Sequence, residues 1–358
     1  MMKAKAADFI LYDQATGAYQ IDPEQAVRDD VEKHHWLHVG RTLLKDWRLY
    51  LMLVPMLLVF LLWRYLPMYE LLGCFKVGDQ VLTVNEQDFA GFSNFKLLLT
   101  GGSNPAMSVE FWRAMRNTFL LSFYGLCFGF PMPIILALFF NEIKSNAARS
   151  VLQVMTYLPK FMSTVVMTSL VIMLVKQGSS VQGVGSALGG VISQGLAGLG
   201  LISADTAKAG LLNDPAFFRT IYQVSGIWEA AGYDSIVFFA AIIAISPTSY
   251  EAAQIDGANK WAQMRYVVLP SILSTVVIML ITRIGHLLMV GYEKVILLYN
   301  VNTYQTADVV STFSYRYGME SNRTGLASAA EMMNNVVGML LVIGANTIAR
   351  KASNTSLY

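Results

Sequence analysis

Six runs of about 20 apolar residues, the length a helix needs to cross bilayer hydrocarbon, constrain this chain more than any other feature. They fall at Leu49–Leu66, Thr118–Phe140, Val151–Val175, Phe218–Ile245, Val267–Val290 and Ala327–Ala349. The expected fold class is therefore all-α, a polytopic membrane protein with six transmembrane helices. Composition points the same way: only 14% of residues are charged, where soluble chains carry about 25%. Pro55, Pro131 and Pro133 lie inside these runs, and membrane helices tolerate proline better than soluble ones. The net charge of +2 comes without a basic run, so nothing points to nucleic acid as a partner.

Residues 1–48 are polar and of mixed charge. They lack the basic start, short apolar core and small-residue cleavage site of a secretory signal. A cytoplasmic tail, with room for an amphipathic helix, is expected there. The transmembrane domain then covers 49–349, and 350–358 forms a second cytoplasmic tail. Residues 181–202 are apolar but contain seven glycines, and glycine disfavours an isolated helix. This stretch is expected to be part of an outer loop, 176–217, with a short surface helix. Were it to span, everything after it would change sides. Thirteen Lys and Arg fall in 1–48, 141–150, 246–266 and 350–358. That bias places these segments, and both termini, on the inner side.

The most informative segment is SPTSYEAAQIDGANKWAQMRYVVLP, Ser246 to Pro270. Ser246 suits an N-cap and Pro247 a first helical position. Glu251 is expected in the first turn, where the helix dipole favours a carboxylate. Gly257 can adopt the left-handed conformation that stops a helix. A second amphipathic helix is expected from Ala258 to about Val267, with Pro270 marking entry to the next span. The plain reading is a tight polar hairpin between two spans.

That segment resembles the EAA loop of ABC importer permeases: Glu, Ala, Ala, three residues, Gly, and later Leu-Pro. Glu251, Ala252, Ala253, Asp256, Gly257, Ala258, Leu269 and Pro270 stand in register. The resemblance implies that Glu251, Ala252, Asp256, Gly257 and Ala258 couple the membrane helices to an ATPase subunit. Further stretches extend it along most of the chain. They include DWRLYLMLVPMLLVFLLWRYLPMY from residue 46, FWRAMRNTFLLS from 111, IWEAAGYDSIVFFAAI from 227 and GYEKVILLYN from 291. Together they are similar to the lipoprotein- or polysaccharide-type sugar permeases, with Glu70 a local departure. The implied assembly holds a second homologous permease, two ATPase subunits and an extracytoplasmic solute-binding protein. Its substrate would be an oligosaccharide, moved by alternating access across the cell membrane.

No phosphate-binding loop of the GxxxxGK[ST] type occurs, so ATP and Mg are expected on the partner ATPase and no cofactor in this chain. No catalytic motif is visible either, and the chain is read as a transport subunit, not an enzyme. His34, His35 and His38 cluster in the polar tail and read as solvated, with no metal site. Cys74 and Cys127 cannot form a disulfide framework, and Cys127 reads as a small packing residue.

Charged and polar residues in or near the apolar runs are functional candidates because burying them in lipid is costly. Lys160, Glu229, Asp234, Arg283, His286, Glu331, Asn334 and Asn335 are of this kind. Glu229 and Tyr233 are four apart on one helical face, and Arg283 and His286 three apart on another. Counted from the EAA loop, these four match sugar-contact positions of the similar maltose-type permease, though the residue types differ. They are the candidate substrate-binding residues, and an Arg beside a His would suit an acidic sugar. Two other readings stand beside this one: a Glu229–Arg283 ion pair that only joins helices, or sugar contact made by the partner permease alone. At the level of the whole protein, the alternatives are an ABC permease for a non-sugar solute, an ion-coupled secondary transporter, and a membrane-bound transferase.

Overall fold

The computed structural model describes residues 10–13, 18–21, 45, 47–78, 86–102, 104–175 and 190–353. The chain divides into two units, 1–70 and 71–358. In the first, β1 (Ile10–Asp13) and β2 (Ala18–Ile21) pair antiparallel, Ile10 opposite Ile21. This small hairpin stands in the tail that has room for an amphipathic helix. Of the rest of the tail only residues 45, 47 and 48 are described; its three histidines lie outside the described residues, as do 176–189 of the outer loop and 354–358.

The helices otherwise follow the apolar pattern. Four are long and apolar enough to span: α1 (Trp47–Phe75), α2 (Pro105–Glu142), then Pro215–Ile243 and Thr324–Thr347. Two bent pairs bring the number to six if each is one span. The first is α3 (Asn146–Phe161) with α4 (Thr164–Val175), bent by 103°. Pro159 lies in the single 3-10 turn that ends α3, and Met162 is extended, so the helical ladder cannot run through. After the short α5 (Val191–Gly198) comes α6 (Pro215–Ile243). Two short helices follow, α7 (Pro247–Ile255) and α8 (Lys260–Ser271). α8 forms the second bent pair with α9 (Leu273–Gly285), at 61°. Short α10 (Tyr292–Leu298) and α11 (Val310–Tyr315) precede α12 (Thr324–Ser353). The chain is a multi-pass membrane protein of helical build.

Among the described residues one wide π turn continues α11 at Arg316–Glu320, and three more interrupt helices, at Leu61–Tyr65, Gly125–Gly129 and Met264–Val268. Each of these three stands just ahead of a proline: Pro67, Pro131 and Pro270. Proline lacks an N–H and its ring collides with the carbonyl four residues back, so widening the preceding turn relieves both faults.

Packing in the second unit runs through three apolar clusters. One joins Phe111 and Ala114 of α2 to Phe313 of α11 and Ala329 and Ala330 of α12. The next gathers Leu121, Val171, Phe218, Ile221 and Val295. The last holds Ala137, Phe238, Ile242, Val268 and Ile272. Where α6 crosses α3 the backbones come into close contact. A Cβ on Gly232 would collide with the backbone carbonyl of Thr156, so only glycine fits there.

A buried polar knot ties α2 to α11. Asp308, fully buried, accepts two bonds from Arg316, at 3.2 and 2.8 Å, and one from Thr312 at 2.8 Å. Its carbonyl accepts from Asn117 Nδ2 at 3.0 Å, and Asn117 Oδ1 accepts from Arg219 of α6 at 2.9 Å. Arg316 also lies 3.6 Å from Glu110, which takes a 2.7 Å bond from the Tyr317 hydroxyl. Burial opposes the Arg316 charge, but the hydrogen bonds and charge of Asp308 outweigh it and hold its pKa above the ordinary value. Burial, reinforced by Glu110, pushes the Tyr317 phenol up to about 12.

Candidate functional site

Two places in the fold carry the candidate residues. The first is a cavity of about 350 Å³, within the ~300–1,000 Å³ usual for small-molecule sites. It lies along α2 and α6, bordered by Leu121 of the second apolar cluster. Gly125 and Gly129 of the π turn line one wall, with Tyr222, Gln223, Gly226, Glu229 and Asp234 of α6 on another. Lys160, at the end of α3, and Arg283, His286 and Lys294 also line it, beside the apolar Leu121, Leu287, Met289 and Val290. A smaller recess of about 200 Å³ adjoins it, sharing Gly129, Asp234, Arg283 and His286.

Glu229 is the middle residue of the 29-residue α6. The cavity therefore lies halfway along a helix of membrane-spanning length. Gln223 is held by a hydrogen bond to the Leu121 carbonyl. The glycines keep the walls open: the nearest atom to a Cβ on Gly129 would be Ile227 Cγ1 at 3.9 Å, and on Gly226 Lys294 Nζ at 3.8 Å.

Three of the four candidate sugar residues meet here: Glu229, Arg283 and His286. Tyr233 does not line the cavity. It is exposed, and its ring packs edge-on against Phe161 at 5.8 Å, because the break after α3 turns Phe161 toward that side of α6. The alternative reading, a Glu229–Arg283 ion pair, is not what the structure shows. Glu229 Oε2 binds Lys294 Nζ at 2.9 Å, and Lys294 further stands 5.6 Å from the Tyr222 ring centroid. Lys294 is not among the candidates from sequence, since it falls past the last residue of its apolar run. The stretch GYEKVILLYN contains it, but only resemblance draws attention to that stretch. Asn334 donates to the Leu288 carbonyl at 3.2 Å, joining α12 to the turn after α9.

The second place is the α7–α8 hairpin. Gly257 has φ +76°, the left-handed conformation expected of it. Ala258 N–H donates to Ala253 O at 2.9 Å and Gly257 N–H to Gln254 O at 3.0 Å, the pair of bonds by which a left-handed glycine closes a helix. Three details differ from expectation. Glu251 is the fifth residue of α7, in its second turn, because the helix starts at Pro247 and not nearer the glutamate. Ser246 makes no cap to a backbone N–H; its hydroxyl pairs with that of Thr248 at 2.7 Å. The second helix starts at Lys260, since Asn259 caps it by accepting from Ala262 N–H at 2.9 Å.

Glu251, Ala252, Asp256 and Gly257 are all exposed, with Ala258 half-buried. Ile255 is 87% and Trp261 69% exposed, so the hairpin presents an apolar as well as a polar surface. Its inner side is anchored. Half-buried Tyr250 packs on the third apolar cluster. Burial raises its phenol pKa, a hydrogen bond with Asn141 opposes this, and the Glu142 charge adds to it. Lys260 meets Glu142 at 3.4 Å, an exposed pair worth little.

The comparisons with known proteins bear on both places. The model of the family described as "binding-protein-dependent transport system inner membrane component" matches residues 129–292, which include the hairpin and much of the cavity lining, but not Gly125 or Lys294. Protein LplB of Bacillus subtilis (strain 168) is 32% identical over 314 residues, 88% of this chain and 92% of LplB. The polygalacturonan/rhamnogalacturonan transport system permease protein YteP of the same organism is 32% identical, covering 87% and 90%. Among solved structures, a chain of a bacterial ABC transporter involved in import of the acidic polysaccharide alginate superposes with TM-score 0.75 and 38% identity. It covers 88% of this chain and 99% of that one. With relatives matched over most of both lengths, the chain belongs to the family of inner membrane components of binding-protein-dependent transport systems, the permeases of ABC transporters.

Proposed function

We propose that this chain is the permease half of an ATP-driven importer that moves oligosaccharides through the cavity beside Glu229. The observation that carries this reading is the polar cavity at the middle of a membrane-length helix, glycine-walled and lined by side chains that bind hydroxyls. Sugars need such donors together with flat faces. The relatives support the substrate class: YteP is named for polygalacturonan and rhamnogalacturonan. A solved alginate transporter is in complex with a periplasmic protein bound to an alginate pentasaccharide. The same reading supplies a second permease, two ATPases and a solute-binding protein as partners, with ATP and Mg on the ATPase. The chain itself performs no bond chemistry.

Filling the cavity tests the path. Gly226→Trp should abolish oligosaccharide uptake by cells while the permease still co-purifies with its ATPase. Undiminished uptake would reject the cavity as the route.

The proposed topology puts both termini and the α7–α8 hairpin in the cytoplasm and 176–217 outside. It rests on the Lys and Arg distribution. Single cysteines at Ser203 and Ser249, in a chain lacking Cys74 and Cys127, give the check. An impermeant thiol reagent added to intact cells should label position 203 and spare 249. The reverse pattern would invert the scheme.

A further inference from the structure

The charge in the cavity does not balance. Three cations line it, Lys160, Arg283 and Lys294, against two carboxylates, Glu229 and Asp234. Lys294 and Glu229 neutralise each other across 2.9 Å, with side chains only 13% and 19% exposed. Lys160 and Arg283 both act on Asp234 through their charge, yet no ion pair joins either to it among the described residues. One positive charge is therefore left over midway along the helices, where uncompensated charge is expensive.

The geometry makes that surplus reachable. An ammonium has three donors, and Glu229 takes one of those on Lys294. Lys294 Nζ lies 3.8 Å, and Arg283 Nη2 4.0 Å, from the Cβ positions that Gly226 and Gly129 leave vacant. A ligand can thus lie flat against both helices and still touch two cations. A ligand with one carboxylate brings the lining to neutrality, and a neutral sugar does not.

We propose that the cavity selects oligosaccharides that carry carboxylates, and that Lys294 is the residue that reads the charge. The proposal rests on the reading that the cavity is the sugar path. In it, Lys294 keeps Glu229 and turns its free donors to a uronate carboxylate, while Arg283 forms the second contact.

The test uses Gly226→Cys in a chain with Cys74→Ser and Cys127→Ser, in membranes, and follows labelling of the introduced thiol by a thiol reagent. The probes are a galacturonic acid trisaccharide and the same trisaccharide with its carboxylates reduced to alcohols. The acid should protect the thiol at about tenfold lower concentration, the effect of one charge-assisted hydrogen bond. Lys294→Met should erase that difference. Glu229→Gln, which frees a Lys294 donor, should widen it. The labelling rate without sugar shows whether each variant keeps its fold, and the two variants move in opposite directions. Equal protection by both sugars, or a preference that Lys294→Met leaves in place, would overturn the charge selectivity while leaving the cavity a sugar site. Protection by neither would remove the sugar-path reading as well.

Discussion

Replacing Asp308 with alanine is expected to destabilise the folded permease by about 3–5 kcal/mol, the cost of breaking a buried ion pair from one side. The carboxylate is fully buried, and Arg316 grips both of its oxygens. Alanine would leave the Arg316 guanidinium with Glu110, 3.6 Å away, and the rings of Tyr304 and Tyr317, and would take from the Thr312 hydroxyl one of its acceptors, the Val309 carbonyl remaining. Asp308→Asn keeps the shape and loses the charge, so it should fall between the two. The double variant Asp308→Ala, Arg316→Met removes both charges and should be less damaged than the sum of the single changes. Unfolding in detergent, followed by denaturant or heat, measures all three. Stability within about 0.5 kcal/mol of wild type for Asp308→Ala, the range of an ordinary surface change, would show that the knot holds nothing together.

The second large effect is expected at the hairpin. Glu251→Ala should cut uptake and transport-stimulated ATP hydrolysis by about tenfold or more. An exposed carboxylate can make one charge-assisted bond to a basic group of the ATPase, worth about 1.5–3 kcal/mol. Gly257→Val acts by another route. No atom lies within 4 Å of a Cβ there, so the side chain has room and the damage is confined to the backbone. At φ +76° a β-branched residue is a strong outlier, and the left-handed conformation costs an L-residue about 1–2 kcal/mol. The turn between α7 and α8 would open and re-aim Glu251. Both variants should insert and carry their spans normally, because the hairpin's buried residues are Gln263 and Val268. Full uptake with full stimulated hydrolysis in both would mean that the hairpin does not transmit the ATPase's motion.

The hairpin is legible in sequence because its signals are local. Gly257 stops a helix through its own φ, and its neighbours supply the bonds. The departures are local as well: Asn259, an ordinary capping residue, starts the second helix two residues beyond Ala258. The helical spans are legible from apolar length, but the break between α3 and α4 is not. Val151–Val175 reads as one apolar run, and hydropathy does not register that Pro159 and an extended Met162 turn the chain. The cavity is half legible. Charge inside an apolar run points to Glu229, Arg283 and His286, since such charge is costly unless used. Lys294 escapes because its partner lies 65 residues away, and pairing at that separation is a product of the fold. Tyr233 is misplaced for the converse reason. Four-residue spacing puts it beside Glu229, but Phe161 from another helix decides where its ring rests.

The meeting of Gly232 with the Thr156 carbonyl has a practical corollary for anyone who wishes to watch this protein move. Helices in direct backbone contact cannot slide past each other by a side-chain rearrangement, because there is no side chain on one side of the contact to rearrange. The crossing of α3 and α6 is thus the natural zero mark of the molecule. Distance reporters placed on either helix near it should keep a fixed separation, and a label on the α7–α8 turn, measured from them, would register as a change of length any motion the hairpin makes during turnover.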